Sequence, residues 1–324
     1  VLGFLFQRVL QAAAVIVVMS VVVFIGVYAI GNPIDVMIDP AADQKLRAAL
    51  IARYGLDQPL VVQYFYFAKN VLSGDLGESM VYRLPVMQLI LSRFPATLEL
   101  ALSAMVIATV VGIPLGIWAG YRPDAMSSKV IMGLSVLGFS VPTFWVGLLL
   151  ILAFAVEIGI LPSGGRGTVG TLFGIPTSLA TWDGIQHLIL PALNLSLFKM
   201  GLLIRLTRAG MQEAMSADYV RFARAQGLGD GEVIFRHVLK NIAIPIVTVF
   251  GLEFGSTLAF AVVTETIFNW PGMGKLIIDS IITLDRPVMV AYLILVVFLF
   301  VVINLVVDLA YGQLDPRIRT RGAS

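Results

Sequence analysis

Apolar residues gather in six long runs: Val9 to Ile30, Ala96 to Ala119, Val130 to Val156, His187 to Ile204, Ala243 to Val263 and Val288 to Tyr311. Each is close to the roughly 20 residues that an α-helix needs to cross a bilayer. The pattern predicts an all-α integral membrane protein with six transmembrane helices. Val1 to Arg8 is a short amphipathic lead. The first run reads as an uncleaved helix, because it is too long for a signal peptide and no small-x-small site follows it. Two charges sit well inside the runs, Lys199 in the fourth and Glu253 in the fifth. A charge near a helix centre costs about 2.5 to 3.5 kcal/mol on insertion scales, so neither is expected to face lipid.

Between the runs the polar residues define three regions. Residues 31–93 mix Asp35, Asp39, Asp43, Lys45, Arg47 and Arg53 with apolar positions. Helices are expected at Ala41 to Tyr54, closed by Gly55, and at Pro59 to Leu72, closed by Gly74. Together they form an extracytoplasmic, aqueous helical cap inserted between the first two spans. Residues 159–183 are rich in Gly, Thr and Ser and read as an extracytoplasmic loop and candidate gate. The third region, 205–242, is cytoplasmic and holds most of the polar island Gln212 to Pro245. Two short helices joined by a glycine knuckle suit this island. Ser216 or Asp218 is expected to N-cap the first, Gly227 to close it in a left-handed conformation, and Asp230 to cap the second with Glu232 in its first turn. Pro245 then opens the next apolar run, where its missing N–H costs little.

Orientation follows from Lys and Arg in the short loops. Arg122 and Lys129 follow the second run, Arg205, Arg208, Arg221, Arg224, Arg236 and Lys240 the fourth, and Arg317, Arg319 and Arg321 the sixth. The opposing short loops hold only Arg166, Lys275 and Arg286, and residues 31–93 form a loop too long to count, which places both termini and the polar island in the cytoplasm. Composition narrows the class further: 58% of the 324 residues are hydrophobic and 13% charged, more apolar surface than a soluble domain could bury. A net charge of +2 with no dense basic tract gives no footprint for nucleic acid. The absence of cysteine excludes disulfides, thiol catalysis and thiolate metal sites.

The polar island also carries a resemblance. Asp218-Tyr219-Val220-Arg221, Ala223-Arg224-Ala225-Gln226-Gly227-Leu228, His237-Val238-Leu239-Lys240-Asn241 and Pro245 resemble the coupling loop of ABC importer permeases, in the wording of the dipeptide/oligopeptide/nickel branch. So do Arg53-Tyr54-Gly55-Leu56-Asp57-Gln58-Pro59-Leu60, Gly74 to Ser79, Arg93 to Leu98, Glu265 to Leu276, Asp285-Arg286-Pro287, Asn304 to Asp308 and Leu314 to Arg319. The resemblance covers nearly the whole chain. It implies a transport subunit of the bacterial inner membrane that hydrolyses no ATP itself and binds no cofactor. ATP and magnesium would sit on two cytoplasmic ATPase subunits. A second homologous permease, an extracytoplasmic substrate-binding protein and the lipid bilayer complete the expected partners. Glu213, Asp218, Tyr219, Arg221, Phe222, Ala223, Arg224, Ala225, Gly227, Leu228 and His237 are the residues this resemblance assigns to ATPase coupling. Tyr219 and Phe222 would be anchors buried in the ATPase, Arg221 and Arg224 would pair with its acids, and Ala223, Ala225 and Gly227 would permit close approach.

Lys199 and Glu253 are candidates for the substrate path, Glu253 meeting a substrate's ammonium group; a pair that merely locks two helices, or a lysine snorkelling toward the cytoplasmic interface, is the competing account. Gly272 to Lys275 superficially suggests a phosphate loop, but the upstream glycine is missing and Leu276 stands where a hydroxyl would hold magnesium, so a turn is expected. His187 and His237, the only histidines, fall on opposite membrane faces in this topology and cannot share a metal site. An ion-gradient-driven secondary transporter is the alternative function; it would show an inverted repeat and paired interrupted helices, and neither is evident. An intramembrane enzyme would need a catalytic cluster that the sparse acids and separated histidines do not supply.

Overall fold

The computed structural model describes residues 2–29, 44–53 and 57–314. The expected positions Asp35, Asp39, Asp43 and Gly55, and the C-terminal arginines from Arg317 onward, lie outside the described residues. The chain folds as two units, Val1–Ala96 with Pro271–Val301, and Thr97–Trp270 with Val302–Ser324.

The first unit contains α1 (Leu2–Ala29), α2 (Gln44–Arg53), α3 (Leu60–Leu72) and the start of α4 (Val86–Tyr121), then α11 (Met273–Ile282) and the first part of α12 (Arg286–Leu314). Pro59 sets the entry to α3, and Gly74 at φ +82 ends it, both as expected. Gly272 opens α11 and Gly274 and Lys275 lie inside it, so the glycine pair reads as a helix start and not as a turn. The segment between α3 and α4 is pinned to the α11–α12 connection by one carboxylate. Asp285, fully buried, accepts from the Ser79 hydroxyl, from the Met80 N–H at 3.2 Å and from the Val81 N–H at 3.3 Å. Leu284 beside it is held at φ +52, a left-handed conformation that a branched residue adopts only when its surroundings impose it.

The second unit is built on α4 and α7 (Trp182–Ser216). Gly112, Gly116 and Gly120 recur every four residues along α4 and face α7. A Cβ at Gly116 would stand 2.6 Å from Thr207 Cβ and 2.8 Å from the Ile204 carbonyl. Small residues at this spacing let two backbones approach, which is how helices gain contact where lipid supplies no hydrophobic drive between them. The third apolar run is not one straight span. It forms α5 (Met126–Ser140) and α6 (Thr143–Glu157), bent by 106° between them. The cause is local: Val141 precedes Pro142 and is forced into an extended conformation, ψ 132°, which ends α5.

Residues 159–181 are ordered around a short hairpin, β1 (Gly170–Leu172) and β2 (Ile175–Thr177), followed by a 3-10 turn. α7 begins with the Thr181 hydroxyl accepting from the Gly184 N–H at 3.0 Å. Asp183 belongs to this helix and accepts from the Thr168 N–H at 2.6 Å, so the last expected loop residue is helical. Beyond α7 come α8 (Asp218–Ala225), α9 (Asp230–Phe260) and α10 (Val262–Ile267). Among the described residues, α4, α7, α9 and α12 are long and apolar enough to cross a membrane, and the bent α5–α6 pair makes up to five.

Candidate functional site

The polar island folds into a compact elbow. α7 runs on to Ser216, well past the expected end of its apolar run, and Ala217 breaks it with ψ 152°. α8 follows at once. Neither expected cap forms: the N-cap position is Ala217, the Ser216 hydroxyl donates to the Glu213 carbonyl at 2.8 Å, and Asp218 lies in the first turn, 3.4 Å from Arg221. Asp218 still favours the helix there, since a carboxylate in the first turn complements the partial positive charge of that end. α8 closes as expected, with Gly227 at φ +86, its N–H on the Arg224 carbonyl at 2.9 Å and the Leu228 N–H on the Ala223 carbonyl at 3.3 Å. A Cβ at Gly227 would meet nothing within 4 Å, so glycine is required there for its backbone conformation alone.

α9 also departs from the expected capping. Gly229 holds the N-cap position, and the Asp230 side chain turns away to bind α4 and α8. The Tyr121 hydroxyl donates to Asp230 Oδ2 at 2.7 Å, while Arg224 donates to Oδ1 through Nη2 at 3.0 Å and Nε at 3.2 Å. Arg224 thus makes an ion pair within the chain while its side chain stays 43% exposed. Glu232 lies in the first turn as expected and pairs with Arg236 at 2.9 Å. Pro245 does not open a helix. It sits inside α9, which runs unbroken from Asp230 to Phe260 and makes the second half of the polar island continuous with an apolar span. A π-helical turn at Ile234–Val238 marks the passage between the two.

α8 has two faces of opposite character. Val220 and Ala223 are buried in a cluster that also holds Met211 and Ala214 of α7 and Val233, Ile234, Val238 and Ile242 of α9. Ala223 thus packs inward and contributes no exposed small-residue surface. Tyr219 and Phe222 point outward, 37% and 65% exposed, beside exposed Glu213, Arg221, Ala225 and Gly227. Leu228 is half-buried against the cluster and His237 half-buried on α9. Val220 and Ala223 thus pack α8 against the ends of both long helices.

Lys199 and Glu253 meet, joining α7 to α9. The Lys199 ammonium also donates to the Ser256 hydroxyl at 2.9 Å, and the two charged side chains are 12% and 22% exposed.

A second buried charge pair was not singled out from the sequence. Glu99 of α4 accepts from Arg166 at 2.5 Å, from the Ser178 N–H at 2.8 Å and from the Thr177 hydroxyl at 3.2 Å. Arg166 lies 5.9 Å from the Trp270 ring centroid, and the Gly165 N–H donates to the Phe268 carbonyl at 2.8 Å. The signal was present, an acid inside the second apolar run and a lone cation in an uncharged loop, but nothing in the sequence joined them.

Residues 112–320 match the family described as the binding-protein-dependent transport system inner membrane component, and residues 1–101 match its N-terminal model. The chain belongs to that family and is a permease subunit of an ABC importer. It is 41% identical over 304 residues to the di/tripeptide transport system permease protein DppB of Pseudomonas aeruginosa, covering 89% of this chain and 90% of that one. Over 318 residues it is 38% identical to the oligopeptide transport system permease protein AppB of Bacillus subtilis, covering 98% and 99%. Among solved structures, a chain of the MetNI methionine ABC transporter in inward-facing form shares the fold, with a TM-score of 0.57 at 15% identity over 71% of this chain and 97% of that one.

Proposed function

We propose that this permease forms half of the translocation path of a bacterial inner-membrane importer for short peptides, driven through residues 213–245 by separate ATPases. Six spans, with α1 and the bent α5–α6 pair each counted once, carry both termini to the cytoplasm. A second homologous permease completes the path, two cytoplasmic ATPases hold ATP and magnesium, and an extracytoplasmic binding protein delivers the solute. The di/tripeptide and oligopeptide names of the relatives support peptides as cargo.

The observation that carries the coupling role is the division of α8. Its outer face offers an exposed aromatic, Phe222, at 65% exposure, while its inner face is rooted in the cluster that joins α7 and α9. An exposed aromatic on an anchored helix suits the buried-anchor role in an interface. Closure of the ATPases on ATP binding would move α8, and with it the cytoplasmic ends of both helices, opening the path outward; hydrolysis and product release would reset it. The test is Phe222→Asp in the reconstituted importer. The expected result is a folded permease that no longer retains the ATPase subunits and shows no substrate-stimulated hydrolysis; full retention of both would overturn the coupling assignment.

Within the membrane, Lys199 and Glu253 are proposed to border the path. The pair stays partly open in an otherwise apolar stretch, and lipid is a costly neighbour for charge.

A further inference from the structure

We infer that α3 is a membrane-embedded helix that lies against α1 with its open face on lipid, and is not part of an aqueous cap. The inference rests on the reading of α1 as a span. The Tyr64 hydroxyl is 2.9 Å from the Ser20 hydroxyl, and the Tyr64 and Phe67 rings lie 5.4 and 5.6 Å from that of Phe24. Ser20 and Phe24 fall inside the apolar stretch Ala13–Gly26 of α1. At about 1.5 Å per residue they lie roughly 14 and 8 Å below Ala29, the end of α1. A helix fastened there is below the membrane surface whichever way α1 points.

The rest of α3 fits that depth. Its thirteen residues, Leu-Val-Val-Gln-Tyr-Phe-Tyr-Phe-Ala-Lys-Asn-Val-Leu, hold one charge, Lys69, near the C-terminal end, where a long side chain can reach back toward water. The side away from α1 is apolar and open: Val61 is 66% exposed, Phe65 67% and Leu72 90%. The carbonyls that end the helix are also occupied from within the chain. Ser73 N–H donates to Lys69 and Asn70, Gly74 N–H to Val71, and the Asp75 N–H and Ser73 hydroxyl both reach Asn70 at 2.8 Å. Satisfied backbone groups are the condition for a helix end to sit out of water. α2 differs, since Lys45, Arg47 and Arg53 in ten residues suit an aqueous position. The inserted region thus divides into an aqueous helix and an embedded one, and the embedded one fixes it to the first span.

The chain has no cysteine, so single labels are unambiguous. Phe65→Cys, carrying an environment-sensitive fluorophore, is measured in the assembled importer in vesicles of ordinary and brominated phosphatidylcholine, and against aqueous iodide. Val17→Cys and Val22→Cys on two faces of α1 serve as lipid references, and Asp57→Cys as the water reference. The expected result is blue-shifted emission at Phe65, bromolipid quenching matching the more responsive α1 position, and much weaker iodide quenching than at Asp57. Iodide quenching equal to that at Asp57 would return α3 to an aqueous cap. Resistance to both quenchers would mean that a protein partner, the second permease or the binding protein, covers the face; either result overturns the inference. If Phe65 alone fails, α1 still spans; if neither α1 position responds to bromolipid, the span reading fails and the inference falls with it.

Discussion

Glu99 and Arg166, 67 residues apart, form a salt bridge of 2.5 Å whose side chains are 5% and 12% exposed. With the Ser178 N–H on the second carboxylate oxygen, the pair fastens the whole 159–181 region to α4.

Removing one member of this pair leaves the other buried and uncompensated. Glu99→Gln or Arg166→Ala should each destabilise the subunit by about 3 to 5 kcal/mol. The double replacement Glu99→Leu with Arg166→Met should recover much of that loss. Thermal denaturation of the detergent-purified importer, followed by size-exclusion, reads both; equal melting temperatures for Glu99→Gln and the parent would contradict the arrangement.

Asp285 holds three donors, Ser79 only one of them. Asp285→Ala should therefore release the 77–85 segment, whereas Ser79→Ala leaves two backbone donors on the carboxylate. Each buried donor left without a partner costs roughly 1 to 3 kcal/mol. Limited trypsin digestion at exposed Arg83 should run faster in Asp285→Ala than in Ser79→Ala, and no difference between them would show that the carboxylate is not the clasp.

The α4–α7 contact depends on the absence of a side chain at Gly116. Gly116→Ala would drive a methyl into Thr207 and the Ile204 carbonyl, an overpacking cost of about 1 to 3 kcal/mol. Gly133 in α5, with nothing within 4 Å of its ideal Cβ, is the control: Gly133→Ala should be neutral or slightly stabilising. Denaturation of the two purified variants in parallel separates close packing from a general intolerance of alanine.

Lys199 and Glu253 can be tested for locking and for transport in one set of proteins. Lys199→Met alone should weaken the subunit, because Glu253 keeps its charge and loses its cation; adding Glu253→Gln should restore stability. If the pair borders the path, Glu253→Gln alone should slow uptake of amine-bearing substrates while ATP hydrolysis persists. Uptake at the parental rate would leave the pair a helix lock.

Several features are legible in the sequence because they depend on local chemistry. The apolar runs set where helices lie, Pro59 and Gly74 bracket α3, Gly227 supplies the one conformation that closes α8, and the wording of the polar island carries the family. The capping assignments differ at Ser216 and Asp218 because α7 runs on to Ser216 and Ala217 takes the N-cap position. At Asp230 the cap loses a competition, since its carboxylate has better partners in Tyr121 and Arg224, the first of them 109 residues away. Pro245 lies inside α9 and does not open it, because a proline can sit inside a helix that its neighbours support.

The amino-acid order by itself determined that this chain is a helical membrane permease, since hydrophobic length and short motifs are additive along the chain and need no partner to be read. Which charges meet was decided only by the tertiary structure. Glu99 finds Arg166, Lys199 finds Glu253 and Asp285 finds the Ser79 hydroxyl because buried ions must be paired or hydrogen-bonded wherever the packing of distant helices places them. That packing also decided that Ala223 faces inward, Phe222 outward and Tyr64 toward Ser20: helix periodicity gives a residue's angle about its own axis, but the direction of the core is set by the other helices.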